Sequence, residues 1–289
     1  MASEQMNIQW YPGHMTKTRR QIEADLKQVD AVCEIVDARI PMASRNPDID
    51  AICGAKPRII VLNRMDLADP EATKQWIAYF RNKGMAAVAT DCKSRKGISG
   101  FQPAVRSVLK EKIERNAAKG MNRPVRVMVV GIPNVGKSTL INQISGRKGA
   151  KAENRPGVTR GKQWVTVDNG LLLLDTPGIL WPKFEDPQVG MLLAYTGAVK
   201  ENVIDTEELA CLLMELLGKH YPQTLRDRYG IDPEENTPGY ELLEAAGRRR
   251  GYLLARGEIN TERMAKVLLD EYRSGKLGHF TLEMPEGCL

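Results

Sequence analysis

The chain has 289 residues, of which 42% are hydrophobic and 27% are charged, so it is long enough to bury one large core or two modest ones. Lys and Arg outnumber Asp and Glu by 42 to 36, a net charge of +6 that is compatible with a nucleic-acid partner but does not require one. There is no apolar run of the roughly 18 residues that a membrane helix needs, no signal peptide, and no cysteine spacing typical of a zinc site or a disulfide framework, so a cytoplasmic location is expected.

Residues 1–183 alternate short apolar runs, rich in Val and Ile, with amphipathic stretches. The predicted buried strands are 31–38, 58–62, 85–89 and 125–131. The predicted helices between them are 16–28, 70–84 and 99–116. This alternation predicts an α/β domain with a doubly wound, mostly parallel sheet. Within 164–175, Asn169-Gly170 predicts a β-hairpin.

The pattern becomes purely helical later in the chain, at 205–222, 238–257 and 261–278. A separate small helical domain is therefore predicted for 184–289. Basic residues form four clusters along the chain. A solvated surface is the simpler explanation of any single cluster, but for the four together an RNA-binding surface is an equally good explanation. The clusters are Lys17, Arg19 and Arg20; Lys93, Arg95 and Lys96; Arg147, Lys148 and Lys151; and Arg248, Arg249 and Arg250.

The segment GIPNVGKST (131–139) fits the phosphate-binding loop G-x-x-x-x-G-K-[ST], and it lies between a predicted strand and a predicted helix. Its glycines let backbone N–H groups approach phosphate oxygens. Lys137 is predicted to neutralise the β- and γ-phosphates, and Ser138 to bind Mg²⁺. The remaining predicted nucleotide contacts of the loop are Asn134, Val135, Gly136 and Thr139.

The predicted strand after the phosphate loop ends in DTPG (175–178). Asp175 is predicted to hold Mg²⁺ through water, and the Gly178 N–H to sense the γ-phosphate. Between these two motifs lies PGVTR, in which Thr159 is the candidate switch threonine with its hydroxyl on Mg²⁺. The PGVTR segment is a weak signal by itself, and the flanking motifs give it meaning.

A triphosphate loop does not specify the base, but VLNRMD (61–66) resembles the segment with which GTP-binding proteins read guanine. The Asp66 carboxylate would accept hydrogen bonds from the guanine N1–H and amine, Asn63 would brace the loop, and Arg64 would cover the base plane beside Met65. The alternative is an Asp that merely starts a helix after a buried strand. The segment TDCKS (90–94) follows the next predicted strand, where GTPases have a second loop that supports the guanine base. We call it the support loop, and the sequence does not decide which of Asp91 and Cys92 contacts the base, or through which atoms.

The motif order therefore runs guanine reader, support loop, phosphate loop, switch threonine and DTPG. That is the order of an ordinary GTPase after a cyclic shift. Chain termini usually lie at the surface and near each other, so such a shift preserves the sheet. The joint is expected in the charged segment 110–124.

WYPGHM (10–15), VDARIP (36–41) and the motifs above resemble, in that order, the circularly permuted GTPases of the ribosome biogenesis GTPase A type, also called YlqF. The resemblance covers essentially the whole chain. It implies a GTPase that acts late in assembly of the large (50S) ribosomal subunit, binds the rRNA of the immature particle in its GTP state, and is stimulated by the ribosome. The second residue of the guanine motif departs from the usual Lys, since here it is Arg64.

Ile179 follows the DTPG glycine, where many GTPases have the Gln that orients the attacking water. The resemblance points instead to His14 of WYPGHM, whose imidazole would orient water. Packing with Trp10 and Tyr11, or an rRNA contact, remains an equal alternative for His14. Related GTPases with Asn at the position of Asn134 recruit K⁺, which gives K⁺ as a second candidate cofactor besides Mg²⁺.

The sequence is also compatible, to different degrees, with three other functions. A GTPase coupled to RNA modification is the main alternative, but no second catalytic group supports it. An ATP-dependent helicase or kinase is disfavoured by the guanine reader, and a membrane-associated signalling GTPase by the missing lipid anchor. The expected partners are therefore GTP or GDP, the large ribosomal subunit and its rRNA, with no membrane partner, and the protein is expected to be a monomer.

Overall fold

The computed structural model describes residues 20, 22–146, 163–168, 170–176, 186–199, 205–255, 257–285 and 287–288. The chain forms two compact units, one of residues 1–185 with 280–288 and one of residues 186–279. The predicted helical domain, 184–289, included the C-terminal tail, and the structure corrects this. The tail belongs to the first unit because Phe280 and Leu282 are buried there and its backbone bonds to two loops of that unit.

The first unit is built on a six-stranded sheet in the order β3-β2-β1-β4-β6-β5. Its strands are β1 (Ala31–Asp37), β2 (Arg58–Asn63), β3 (Ala86–Thr90), β4 (Val125–Val130), β5 (Gln163–Asp168) and β6 (Leu171–Asp175). All neighbours pair in parallel except β5 and β6, which form the antiparallel pair predicted as a hairpin. The predicted fold class is confirmed.

Five helices and a short helical segment at 22–26 accompany this sheet. The helices are α1 (Ile49–Cys53), α2 (Pro70–Asn82), α3 (Phe101–Val108), α4 (Lys110–Ala118) and α5 (Lys137–Ser145). The start of α2 follows the sequence closely, because Asp69 caps the Ala72 N–H at 2.8 Å and Pro70 occupies the first turn. Trp76 and Phe80 of α2 are buried against β1 and β2.

The sheet centre is the most buried part of the first unit. All seven residues of β1 are buried, since β2 and β4 flank it on both sides. The strand order runs one way from β1 to β3 and the other way from β4 to β5. The order in which strands are added to the sheet thus reverses between the parallel neighbours β1 and β4, which is the place where open α/β sheets form ligand crevices.

The predicted helix 99–116 is two helices, because Leu109 leaves the helical conformation (φ −107°, ψ 11°). The second of them, α4, buries none of its side chains. It joins β3 to β4, so the segment where the cyclic shift needs a joint is an exposed helix outside the core. If the strands are counted from β4, the phosphate loop follows the first strand and the guanine motif a later one, which is the ordinary order.

The second unit consists of helices in the part of the chain that is described. They are α6 (Pro187–Tyr195), α7 (Thr206–His220), α8 (Pro222–Tyr229), α9 (Gly239–Arg249) and α10 (Thr261–Ser274). Helices α7, α9 and α10 pack on one another. The predicted helix 238–257 ends early, because Gly251 turns the chain with φ 68° and Leu253 then pairs with Ile259. The described chain ends with two short strands that belong to the first unit, β7 (Glu283–Met284) and β8 (Gly287–Cys288).

Within the described residues, no helix has both the length and the apolar character needed to cross a membrane.

Candidate nucleotide-binding site

The predicted site residues meet at one edge of the sheet. Because β1, β2, β3, β4 and β6 are parallel, their carboxyl ends lie at the same edge. In register, Asp37 pairs with Asn63 and Asn63 with Thr90, while Val129 of β4 pairs with Asp175. This edge therefore gathers the ends of the guanine motif, the support loop, the phosphate loop and DTPG.

The phosphate loop joins β4 to α5 through backbone in unusual conformations. Gly131, Asn134 and Gly136 have φ values of 156°, 60° and 103°. A Cβ at Gly136 would lie 2.4 Å from the Asn63 Nδ2 atom, so a side chain there would collide with the guanine motif. Glycine at this position is thus required by the conformation and by the close approach of Asn63.

Lys137 begins α5 and is buried, with 7% of its surface exposed. Its Nζ donates to the carbonyls of Gly131 at 3.0 Å and Ile132 at 2.8 Å. Burial lowers its pKa to about 8, and the Asp175 carboxylate acts in the opposite direction. A partly desolvated ammonium at a helix start is suited to an anionic phosphate chain.

Asp175 ends β6 and is also buried, and its Oδ1 has no hydrogen-bond partner among the described residues. Burial raises the pKa of its carboxyl, against the opposing effects of the Lys137 charge and a hydrogen bond from Ser138. A buried carboxylate oxygen without a donor is costly unless a ligand completes it. The pair of Ser138 and Asp175 therefore fits the hard oxygen ligands that Mg²⁺ prefers.

Asn63 links three segments of the site. Its Nδ2 donates to the carbonyl of Val135 in the phosphate loop at 2.7 Å. Its Oδ1 accepts from the Thr90 hydroxyl at 3.2 Å and from the Cys92 N–H at 3.1 Å. The Asn63 amide thus joins the guanine motif to the phosphate loop through its nitrogen and to the support loop through its oxygen. The three segments therefore form one site.

Arg64 extends from the guanine motif toward the phosphate loop. It has φ 61°, and its Nη2 donates to the carbonyl of Asn134 at 2.5 Å. Its Nε lies 3.8 Å from Asp37 Oδ2, and Asp37 in turn forms a buried, two-pronged ion pair with Arg39. The guanidinium thus bridges two loops, and its predicted stacking on the base stays a prediction.

Asp37 and Arg39 are site residues that the sequence analysis did not single out. The signal was available, because Asp37 ends a fully buried strand and belongs to VDARIP. Burial opposes ionisation of Asp37, but the Arg39 guanidinium outweighs it and holds the pKa of Asp37 below its ordinary value. A carboxylate ionised in this way can orient Arg64 at neutral pH.

Asp66 is exposed, next to the half-buried Met65. Partial burial and the nearby Asp91 carboxylate raise its pKa, while its backbone and Arg64 act in the opposite direction. Asp69, rather than Asp66, caps helix α2. The helix therefore begins at a different Asp from the one in the guanine motif, and the Asp66 carboxylate can serve a ligand instead.

The support loop uses both of its candidate side chains internally. Asp91 Oδ1 accepts from the Lys93 N–H at 2.8 Å. Burial would raise the pKa of Asp91, but hydrogen bonds from Ser94 and Lys93 hold it below its ordinary value. The Cys92 thiol is buried 3.7 Å from the Thr90 hydroxyl, and burial raises its pKa to about 12. Both side chains thus shape the loop that supports Asn63.

Three of the predicted site residues, His14, Thr159 and Gly178, lie outside the described part of the chain. Val135 is buried, whereas Ser138 and Thr139 are half-buried at the start of α5. Across the residues with described coordinates, no three His, Cys, Asp or Glu side chains cluster as a metal site of their own. Any Mg²⁺ here would therefore share its coordination with the nucleotide and with water.

The basic run in the second unit is only partly available to a partner. Arg250 donates to Glu271 at 3.2 Å and stacks on the Tyr229 ring at 5.4 Å, so it holds the helices together. Arg248 forms an exposed pair with Glu244 on the same helix. Arg249 is exposed. The prediction that this run faces RNA thus rests on Arg248 and Arg249.

Comparison with known proteins identifies relatives over nearly the whole chain. Residues 126–253 match the family model described as 50S ribosome-binding GTPase. The chain is 48% identical to ribosome biogenesis GTPase A of Priestia megaterium, over 97% of this chain and 98% of that protein. It is 32% identical to mitochondrial ribosome-associated GTPase 1 of Mus musculus, over 95% of this chain and 89% of that protein.

Solved structures give the same result. A GNP-bound YlqF from T. maritima superposes with a TM-score of 0.64 and 29% identity, over 94% of this chain and 99% of that one. A GDP-bound YlqF gives a TM-score of 0.66 and 28% identity, over 92% and 100%. The matched family model begins at β4 and omits the guanine motif, as expected for a motif that the cyclic shift has moved to the front. From its full-length identity to these relatives and its strand order, the chain belongs to the ribosome biogenesis GTPase A family of circularly permuted GTPases.

Proposed function

We propose that this GTPase hydrolyses GTP to GDP and phosphate during a late step in maturation of the large ribosomal subunit, and that it binds the immature particle and its rRNA in the GTP state. The observation that carries the proposal is the bond from Asn63 Nδ2 to the Val135 carbonyl at 2.7 Å. It joins a guanine-type motif to a phosphate loop although the two lie far apart in the chain. Family membership supports the ribosomal partner.

In this proposal Asp66 selects the base and Lys137 binds the phosphates. The exposed Asp66 carboxylate accepts the guanine N1–H and amine, a pair of donors that adenine lacks at the same edge. The Lys137 ammonium releases its two loop carbonyls and turns to the β- and γ-phosphates, whose charge favours its protonated form. Each group thus acts at one end of the nucleotide.

The proposed Mg²⁺ ligands are the hydroxyls of Ser138 and of the switch residue Thr159 and, through water, Asp175, and the Gly178 N–H is proposed to sense the γ-phosphate. When bound, Mg²⁺ neutralises charge on the β- and γ-phosphate oxygens. The buried Asp175 Oδ1 supports this assignment, because it is otherwise left without a donor among the described residues. The Ser138 bond to Asp175 holds the two oxygens next to each other.

His14 is proposed to orient the attacking water, because Ile179 stands where many GTPases have Gln. We expect large subunits to raise GTP turnover, and His14→Ala to abolish that rise while GTP binding stays normal. The assay is phosphate release with and without purified large subunits, and His220→Ala is the matched control. If large subunits did not change the GTP turnover of the wild type, the ribosomal role would be contradicted. If they stimulated His14→Ala as much as the wild type, only the proposed role of His14 would be excluded.

K⁺ is proposed as a second cation near Asn134, which neutralises charge developing between the phosphates. The conformation of Asn134 (φ 60°) and the Arg64 bond to its carbonyl set the loop on which such a site would form. Turnover is expected to be faster in KCl than in NaCl, and Asn134→Ala is expected to remove the difference. Equal rates in the two salts would refute the K⁺ site.

A further inference from the structure

The C-terminal tail (residues 280–284) lies between two loops of the nucleotide-binding unit. The Phe280 N–H donates to the Leu67 carbonyl at 3.0 Å, and the Leu282 N–H donates to the Arg39 carbonyl at 2.8 Å. The carbonyl of Glu283 accepts from the Trp76 indole at 2.9 Å. The tail thus contacts the segment after the guanine motif and the segment after β1 at the same time.

Thr281 connects these two segments through a single hydroxyl. Its Oγ1 accepts from the Asp69 N–H at 3.1 Å and lies 3.3 Å from the Ala38 carbonyl, to which it donates. The side chain is completely buried. Asp69 follows Asp66 closely in the chain, and Ala38 follows Asp37 directly. One hydroxyl therefore fixes the position of the guanine loop relative to the loop that holds Asp37.

Glu283 fixes the second of these loops further along. Its carboxylate accepts from the Met42 N–H at 2.7 Å and from the Ala43 N–H at 2.9 Å. Burial raises the pKa of Glu283 to about 7, with the two N–H donors acting in the opposite direction. A buried carboxylate whose oxygens accept from two backbone amides orders the loop that contains Met42 and Ala43.

The loops that the tail ties together carry the groups that orient Arg64 and Asp66. Asp37 lies 3.8 Å from Arg64 and is held by Arg39, whose carbonyl accepts from the tail. Asp66 lies between Arg64 and the tail-bound Leu67. None of residues 280–284 belongs to the site described above, so the tail acts through these neighbours.

We infer that the C-terminal tail is a positioning element for guanine recognition. By fixing the loops after β1 and β2, it holds the Asp66 carboxylate in the geometry that accepts both guanine donors. The inference rests on the proposed function of Asp66. It assigns to the end of the chain, which follows the whole helical unit in sequence, a part in selecting the base.

The test compares Thr281→Val with Thr281→Ser in the full-length protein. Valine removes the hydroxyl bridge at similar volume, whereas serine keeps it. Titration calorimetry gives the dissociation constants of GDP and of inosine diphosphate. Inosine diphosphate lacks the exocyclic amine from which Asp66 is proposed to accept a hydrogen bond. Thr237→Val, which removes an exposed hydroxyl bond to Glu234 in the helical unit, is the matched control.

We expect Thr281→Val to weaken GDP binding by about fivefold, the worth of roughly one hydrogen bond, and to reduce the preference for GDP over inosine diphosphate. Thr281→Ser and Thr237→Val are expected to retain both values. A folded Thr281→Val with wild-type affinity and preference would overturn the inference. If that variant does not fold, Glu283→Gln replaces it with the same criteria. A wild-type protein that binds ADP as well as GDP would overturn the proposed function as well.

Discussion

Asp66→Asn is expected to weaken GTP binding by about 100-fold and to make xanthosine triphosphate the preferred nucleotide. In the proposed site the carboxylate accepts two hydrogen bonds from guanine, and the loss of two bonds to a charged group accounts for a change of this size. Xanthine has a carbonyl where guanine has its amine, so an asparagine amide donates to it. Because Asp66 is exposed and Asp69 caps helix α2, the fold does not depend on this carboxylate.

The measurement is competition of GTP, xanthosine triphosphate and ATP for the wild-type protein and the variant. Asp232→Asn makes the same chemical change at an exposed site in the helical unit and is expected to leave all three affinities unchanged. If Asp66→Asn kept its preference for GTP, the base would be read by other atoms, and the guanine assignment of residues 63–66 would be wrong.

Lys137→Ala is expected to reduce GTP turnover by about 100- to 1000-fold, the range seen when one donor to developing negative charge is removed. Below pH 8, the nucleotide-free variant is expected to melt at or above the temperature of the wild type. Burial lowers the Lys137 pKa from 10.5 to about 8, so the unfolded chain binds the proton more tightly. The wild-type protein therefore carries a stability penalty below pH 8 that disappears as the pH rises to 10.5, and the variant lacks it.

Single-turnover phosphate release and thermal melts at several pH values check this expectation. Lys74→Ala removes an exposed lysine paired with Glu71 and provides the comparison. A Lys137→Ala protein that turned over GTP normally would show that the phosphates bind elsewhere. A lysine variant that instead melted far below the wild type would assign Lys137 a structural role that its burial cost argues against.

Local patterns were sufficient to predict the sheet. The runs that became β1, β2 and β4 are short, Val- and Ile-rich and buried, and Gly170 of the predicted hairpin turn lies between β5 and β6. The order of the motifs predicted the cyclic shift, because each motif carries its own strand or helix context. The structure agrees with this prediction, because the strands that carry the motifs are parallel and end at the same edge of the sheet.

Other features have weaker local signals or none. Helices α6 and α8, which begin at Pro187 and Pro222, are short and were not among the predicted helices, although Pro is favoured in a first helical turn. The bond from Arg64 to Asn134 and the docking of the tail join residues that are distant in the chain. Periodicity records which face of an element is buried, and it does not record which distant loop will meet that face.

The most direct test of the account is a crystal structure of the full-length protein with GDP and Mg²⁺. The account predicts that one nucleotide spans the carboxyl edge of the sheet, with its guanine N1–H and amine on the Asp66 carboxylate and its β-phosphate on the Lys137 ammonium. A nucleotide bound by Lys137 whose base lies away from Asp66, in another cleft, would contradict it.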